Sequence, residues 1–226
     1  MSALITQLPV ELIDIIDRER CLTKPSPRMT RLLRRYPGVP WGKQHDLPVT
    51  IAPVTFVTGG SGTYNIPQWA NFVDIIALGG GGGSGGTYGG NTGQGGGAGG
   101  WGAWTIQKGV TFPTGGIWTI GITIGGGGGT GAINSGASGG AGGPTYASVS
   151  GVGNYVAGGG AGGAGATGSA NYFPGSGAGP GTLTYRSIVY NPATYGSYGY
   201  GGSCPAPPSA GGVGVQGIIW FVARQS

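Results

Sequence analysis

The first part of the chain carries apolar residues at helical spacing. Two stretches, 8–22 and about 27–36, place these residues three or four positions apart, the period of one helix face. Pro9 and Pro27 stand in the first turns, where a missing N–H costs little, and Ser26 is a suitable N-cap for the second helix. Because two short helices cannot bury a core alone, we expect their apolar stripes to dock on another surface. The stripe residues assigned to docking are Leu12, Ile15, Ile16, Met29, Leu32 and Leu33.

In the rest of the chain the apolar period changes to two, which is the period of a β-strand. Within 117–124, alternate positions from Trp118 to Ile124 form one heavily apolar face. The segments 72–78 and 218–222 are apolar on both faces, as in a strand sandwiched between two layers. The other predicted strands are 54–58, 62–66, 101–107, 183–190 and 217–223.

Three glycine-rich tracts, 79–100, 125–143 and 158–169, separate these strands. They lack the glycine at every third position that collagen requires. Two states are open to them: flexible loops, or extended polyproline-II-like helices packed side by side with hydrogen bonds between their backbones. Since each tract follows a strong strand or turn in a segment with few charges, we expect the packed state.

Composition divides the chain where the apolar period changes. All but two of the 57 glycines lie after residue 50, and most charged residues lie before it. So abrupt a shift indicates a domain boundary. We therefore predict a helical N-terminal anchor and linker over 1–50 and a glycine-rich β domain over 51–226. The charged residues of the β domain are Asp74, Lys108, Arg186 and Arg224.

Charge and aromatic content place the chain among folded proteins. Charged residues make up 8% and aromatic residues 10%, which is too little charge and too much large apolar surface for a disordered chain. The net charge of +5 is mild and requires no nucleic-acid partner. The predicted fold class is mainly β: a glycine-rich, sandwich-like β domain with packed polyglycine-II-type segments, preceded by a short α-helical N-terminal segment.

The residue inventory argues against catalysis. Gly80, Gly82 and Gly85 match a dinucleotide-binding pattern, but a glycine run matches it by chance, and neither a helix start nor an acid follows for the pyrophosphate and the ribose. A zinc site needs four good ligands, whereas the chain has one histidine and two scattered cysteines. Hydrolysis by paired carboxylates needs more than the one acid of the β domain. We expect no enzyme activity, cofactor or metal.

The second predicted helix also has a basic side. Its arginines can form either a solvated face or a docking surface for an acidic partner. Nucleic acid is the weakest alternative, because no aromatic residues interleave with the arginines. Arg28, Arg31 and Arg35, with Arg34 beside them, therefore join the candidate docking residues.

The segment 183–210 concentrates tyrosines and prolines. Tyrosine supplies rigid amphipathic contact area at a low entropic cost, and it is therefore enriched in binding loops. The alternative is that the rings pack on the glycine tracts, which offer no side chains of their own. The candidates for host or subunit contact are Tyr185, Tyr190, Tyr195, Tyr198 and Tyr200.

Two isolated kinds of group remain. Asp74 lies inside an apolar strand, and because burying a lone carboxylate is costly, we expect it at a surface or paired. Cys21 and Cys204 lie in different segments, and the sequence does not show whether they approach within bonding distance. The cations available to Asp74 are Lys108, Arg186 and Arg224.

No targeting segment or membrane span is predicted. Acids interrupt the first apolar run, and no run approaches the length that crosses a bilayer. We therefore expect no export by a cleaved signal. Assembly in the cytoplasm and release as part of a particle is compatible with the sequence.

The order of several motifs supports a family resemblance. The motifs are TYNIPQWANFVDIIALGGGGGSGG, GQGGGAGGWGAWTIQ, IWTIGITIGGGGGTG, GGPTYASVSGVGNYVAGGGAGG and GVQGIIWFVAR, within about residues 54–224. Together they resemble the glycine-rich domain of minor tail proteins of tailed bacteriophages, which are common in phages of actinobacteria. The resemblance does not extend to residues 1–50.

The resemblance implies a virion protein at the tail tip or in a fibre, near the host-contact end, assembled in the host cytoplasm. It implies other tail proteins as partners of the N-terminal segment, a homo-oligomer with a trimer favoured, and a cell-surface glycan or protein as a host partner. Some glycine-rich phage adhesins pack polyglycine helices with receptor-binding loops at one end. The rival interpretation is a free-standing polyglycine structural or ice-binding protein.

Overall fold

A computed structural model describes residues 54–56, 60–167, 176–204, 206 and 210–225, with the backbone alone for 54–56. The predicted helices of residues 1–50 lie outside these described residues, and so do all the candidate docking residues of that segment.

The described residues form a mainly β structure with antiparallel sheets. Within them, the one helical turn is a short 3₁₀ turn at Pro192–Tyr195. The strands are β1 (Val54–Phe56), β2 (Gly60–Ile66), β3 (Phe72–Leu78), β4 (Trp101–Gln107), β5 (Trp118–Ile124), β6 (Thr145–Val149), β7 (Gly153–Ala157), β8 (Leu183–Tyr185), β9 (Ile188–Tyr190) and β10 (Ile218–Arg224).

Eight of the strands form two four-stranded sheets. The first sheet has the order β1-β10-β3-β4, and the second has the order β2-β5-β6-β7. Every pair of neighbouring strands is antiparallel. The N-terminal strand β1 thus pairs with the C-terminal strand β10, so both ends of the domain contribute to one sheet.

The two sheets pack face to face on one apolar core. Tyr64 of the second sheet stacks on Phe221 of the first with ring centroids 4.4 Å apart. Alternation along β5 supplies Ile120, Ile122 and Ile124 to this core, as the sequence predicts. The other side chains of the core include Val73, Ile75, Ile106, Ala147, Val149 and Ile219.

The outer face of the first sheet is also covered. Ile76, Leu78 and Trp220 point to this side and pack in a second apolar cluster beneath β8 and β9. Strands β3 and β10 are therefore buried on both faces, and the prediction of two sandwiched strands is confirmed.

The predicted single strand 183–190 is wrong, because the structure has a hairpin there. Strands β8 and β9 pair antiparallel around Arg186 and Ser187, whose φ angles are 47° and 62°. Positive φ at both central residues gives a turn whose twist matches that of the flanking strands. The sequence offers neither Asn nor Gly at this turn, so the usual signal is missing.

The glycine tracts are packed rather than loose. At one edge of the sandwich, six strand ends continue directly into extended glycine-rich segments: Leu78, Trp101, Ile124, Thr145, Ala157 and Ile218. We name the segment 79–87 the central segment, and every residue in it is buried. Six ring segments surround it: 94–100, 125–131, 137–143, 158–166, 199–204 and 210–217. The central segment and the ring segments together, with an outer segment 176–182, are the glycine bundle.

Backbone hydrogen bonds join the central segment to all six ring segments. Gly81, Gly82 and Gly83 donate their N–H groups to three of them and accept at their carbonyls from the other three. The donated bonds reach Val215, Gly97 and Gly140 at 2.8, 2.9 and 2.9 Å, and the accepted bonds come from Gly128, Gly202 and Gly163, each at 2.8 Å. The same directions recur every third residue, since Gly79, Gly82 and Gly85 all donate to 94–100.

Close approach of the backbones explains the glycine content. A methyl group on Gly82 would fall on the carbonyl oxygen of Ala161, and one on Gly83 would fall on that of Gly129. Glycine carries the largest ordering entropy of any residue, so the lateral hydrogen bonds must offset that cost.

Candidate functional site

The segment that carries the candidate tyrosines covers the outer face of the first sheet. We name residues 183–200, with β8, β9 and the 3₁₀ turn, the tyrosine cap. Asn191 caps the 3₁₀ turn by accepting a hydrogen bond from the N–H of Ala193 at 3.0 Å, and Pro192 occupies its first turn. The cap is therefore an ordered surface element with a defined local structure.

Trp220 lies at the centre of the contact between cap and sheet. Its ring stacks on Trp101 with centroids 5.6 Å apart, and Tyr190 and Tyr195 meet it edge-on at 5.5 and 5.9 Å. Trp220 is fully buried, and its Nε1 finds no hydrogen-bond partner among the described residues. Tyr198 packs against the same cluster. The cap is thus held to the sheet by aromatic rings.

The five candidate tyrosines fall into different environments. Tyr190 is buried, Tyr185, Tyr198 and Tyr200 are half-buried, and Tyr195 is exposed at 44%. Tyr200 lies over Gly179, where an added methyl would come within 2.8 Å of its ring. Packing thus accounts for Tyr190 and for part of Tyr200, whereas Tyr195 packs edge-on against Trp220 and leaves nearly half of its surface exposed.

Burial raises the pKa of Tyr190 to about 12, with the negative charge of Asp74 adding to the effect. Tyr185 and Tyr195 contribute further in the same direction. Burial likewise raises the pKa of Tyr64 between the sheets. Both phenols are therefore neutral at physiological pH.

Asp74 is paired, as the sequence analysis expects. Its carboxylate accepts a hydrogen bond from Arg224 Nε at 2.9 Å and lies 3.3 Å from Arg186 Nε. Thr105 donates its hydroxyl to Asp74 Oδ1 at 2.5 Å and lies 2.8 Å from the hydroxyl of Tyr185. These contacts of Asp74 link the hairpin turn of the cap to β3, β4 and β10.

Lys108, the third cation considered for Asp74, serves another purpose. Its ammonium group donates to the backbone carbonyl of Gln68 at 2.5 Å. This bond ties together two loops at the edge of the sandwich where the glycine bundle is absent. Lys108 is therefore a loop contact rather than a partner of Asp74.

The outward surface of the cap is mixed in character. Val189 is 62% exposed, the side chain of Arg186 is 49% exposed, and Tyr195 lies at the 3₁₀ turn. Such a surface can stack on flat apolar faces and donate hydrogen bonds, with only one cation to attract anions.

Cys204 lies inside the glycine bundle. It is buried, and its thiol donates to the carbonyl oxygen of Gly85 at 3.3 Å. Cys21 lies outside the described residues. The thiol thus completes a bond to the central segment that a backbone N–H supplies elsewhere.

Among the described residues, no three side chains of His, Cys, Asp or Glu come together as metal ligands would. Within the same residues, no helix is both long enough and apolar enough to span a bilayer.

Sequence reasoning missed the partners that hold the cap. Trp101 and Trp220 lie outside the cap in sequence, and their patterns predict only strand positions. The one indication in the sequence is that β10 is apolar on both faces. This pattern predicts a layer that covers the outer face of the sheet, but it does not identify the covering segment. Neither β6 nor β7 was predicted, because Thr145–Val149 and Gly153–Ala157 are short and contain small or polar residues.

The chain matches a known protein family over most of its length. A family model described as a glycine-rich domain matches residues 55–221, which is most of the chain and nearly all of the β domain. No curated protein matches the chain at a significant level.

Proposed function

Since the chain belongs to the family of glycine-rich domains, we propose that it is a structural protein of a bacteriophage virion, placed at the tail tip or in a tail fibre. The observation that carries the proposal is the glycine bundle, a rigid uncharged rod built on one edge of a β sandwich. The assignment to a bacteriophage rests on the order of motifs, which resembles that of phage minor tail proteins. Assembly would take place in the host cytoplasm.

The bundle suits a projecting part of a particle. Three consecutive residues bond in six directions, and the directions recur every third residue, which is the arrangement of polyglycine-II-type helices. We assign the bundle to that class. Its rigidity comes from backbone hydrogen bonds, so it needs no ion pairs that salt would screen.

The N-terminal segment supplies the attachment to the tail in this proposal. Its two apolar stripes and its basic side match what a docking segment needs, and other tail proteins are the partners. A trimer is the favoured assembly. The account involves no enzyme activity, cofactor, metal, nucleic acid or membrane span.

Attachment to the host surface is assigned to the tyrosine cap. Tyr195 and Val189 present apolar area beside one exposed arginine. Tyrosine rings stack on sugar rings and donate hydrogen bonds through their hydroxyls, which suits a glycan-coated surface. A host protein with an exposed apolar patch would meet the same groups.

One feature favours the rival function of a free-standing or ice-binding polyglycine protein. Along 158–166 the outward positions Gly158, Ala161 and Ala164 recur every third residue and are all exposed. A regular face of small side chains is what an ice surface would need. Measured thermal hysteresis in a solution of the full chain would favour this rival over the virion proposal.

The virion proposal is tested on particles. Antibody raised against the full chain should label one end of the tail in negative-stain images of virions. Unlabelled virions, with the chain recovered only from lysed host cells, would overturn the proposal.

A further inference from the structure

One groove on the outside of the glycine bundle is filled by the chain itself. The outer segment 176–182 lies between the ring segments 94–100 and 199–204. Ala178 donates its N–H to the carbonyl oxygen of Gly96 at 3.0 Å and accepts from the N–H of Gly201 at 2.9 Å. We name this the filled groove.

The ring repeats the same arrangement between 137–143 and 158–166. In the filled groove Gly96 donates to Gly202, which in turn donates to the central segment at Gly82. In the second groove Gly139 donates to Gly163, which donates to Gly83, with every bond at 2.8 Å. Gly139 therefore corresponds to Gly96, and Gly162 corresponds to Gly201.

The corresponding bonding groups of the second groove are open. Among the described residues, the N–H of Gly162 and the carbonyl oxygen of Gly139 make no hydrogen bond. The two segments are also equally close, because a methyl on Gly162 would fall on the Gly139 oxygen, just as one on Gly201 would fall on that of Gly96. We name this the open groove.

Small side chains leave the open groove accessible. Ala161, Ala164, Ser138 and Ala141 border it, and all four are exposed. Charged residues of the described β domain lie only in the sandwich and the cap, so no charge repels a neighbour here. A third groove has the same open pair at Gly127 and Gly214, but Val213 stands at its rim, 64% exposed.

We infer that the open groove is an interface between two copies of this chain, in which segment 158–166 of each copy enters the groove of the other. The occupant must be an extended backbone with a three-residue repeat and little side chain. The segment 158–166 has that form, and it also carries outward N–H and carbonyl groups of its own. When each copy inserts its segment into the other, one two-fold axis relates the two contacts, and the open N–H and carbonyl groups of both grooves find partners.

An uncharged edge with unpaired backbone groups is a template for adding another chain, as at the edge of a β-sheet. The filled groove shows the addition within one chain. The inference is independent of the virion proposal, since it concerns only the surface of the bundle: it predicts a two-fold dimer of the isolated chain, whereas the trimer belongs to the proposed tail assembly.

The test uses the full chain and two double variants with the same added charge. Ala161→Glu with Ala164→Glu places two carboxylates on the rim of the open groove. The control, Val110→Glu with Gly115→Glu, places them in an exposed loop where Gly115 has open space around it. Circular dichroism checks that each variant is folded.

Sedimentation velocity over a concentration series gives the result. We expect the natural chain and the control to form the same dimer, and the rim variant to dissociate with a constant raised more than about tenfold. A natural chain that stays monomeric would overturn the inference. So would a folded rim variant that associates as strongly as the control.

Discussion

The N–H of Gly82 donates to the carbonyl oxygen of Gly97 at 2.9 Å, and the carbonyl of Gly82 accepts from the N–H of Gly202 at 2.8 Å. One residue without a side chain thus joins three extended segments. A β-strand residue also uses both groups, but it bonds within one sheet plane, whereas consecutive residues here bond in different directions around the segment. The glycine content follows from this geometry.

Adding a methyl to the central segment should unfold the bundle. Gly82→Ala would place Cβ on the carbonyl oxygen of Ala161, and we expect a loss of about 3 kcal/mol or more in unfolding free energy, since overpacked backbone has nowhere to move. Gly129→Ala is the matched control, because its Cβ would meet open space. Urea denaturation compares the two, and equal stability of both variants would contradict the packing.

Removing the carboxylate of Asp74 should loosen the cap. Asp74→Asn leaves Arg224 and Arg186 without their anion, and we expect a destabilisation of about 1–3 kcal/mol. Arg224→Gln should cost more than Arg186→Gln, since the Arg186 side chain is half exposed. Chemical denaturation of the three variants checks this order. A lower unfolding free energy for the Arg186 variant than for the Arg224 variant would contradict the prediction.

Alkaline pH should destabilise the domain through Tyr190. Its folded pKa is about 12 against 10.0 for the free side chain, so the unfolded state loses this proton first as pH rises. The stabilising contribution is present below about pH 10 and is lost between about pH 10 and 12. Tyr190→Phe should flatten this part of the profile in thermal melts at increasing pH. An unchanged slope would assign the alkaline loss to another group.

Host contact, if the cap provides it, should depend on Tyr195. Tyr195→Ala should reduce adsorption of virions to host cells while the domain remains folded, because nearly half of this residue is exposed. Tyr88→Ala is the control, since Tyr88 is similarly exposed at 47% but lies in a turn of the glycine bundle. If only the Tyr88 variant lost adsorption, the host contact would lie on the glycine bundle and not on the cap.

The anchor hypothesis has its own test. Deleting residues 1–45 should leave a folded β domain that no longer joins the tail, because the deletion removes both apolar stripes. Normal incorporation of the truncated chain into virions would contradict the assignment.

The strands with strong apolar patterns could be predicted from the sequence, and the tertiary contacts could not. The alternation in β5 and the two-sided apolar character of β3 and β10 indicate burial directly. The pairing of Tyr64 with Phe221 depends on which strands face each other, which no local pattern contains.

The glycine tracts show the same limit. Their composition allows loops or packed helices, and the choice depends on whether enough neighbours surround one segment. The sequence identified three tracts, whereas the bundle also uses 176–182, 199–204 and 210–217. Those segments hold serine, tyrosine, alanine and valine among their glycines, and they contribute bonds from backbone N–H and carbonyl groups, which every residue type except proline has in full.

Amide hydrogen exchange on the full chain, resolved to single residues, tests the packed bundle most directly. The amides of Gly81, Gly82 and Gly83 are buried and bonded, and we predict that they exchange among the slowest in the protein. The amides of Gly126 and Gly129 are exposed and, within the described residues, make no hydrogen bond. We therefore predict that they exchange rapidly, although they lie in a tract with a similar glycine content. Uniformly fast exchange across 79–87 would contradict the account.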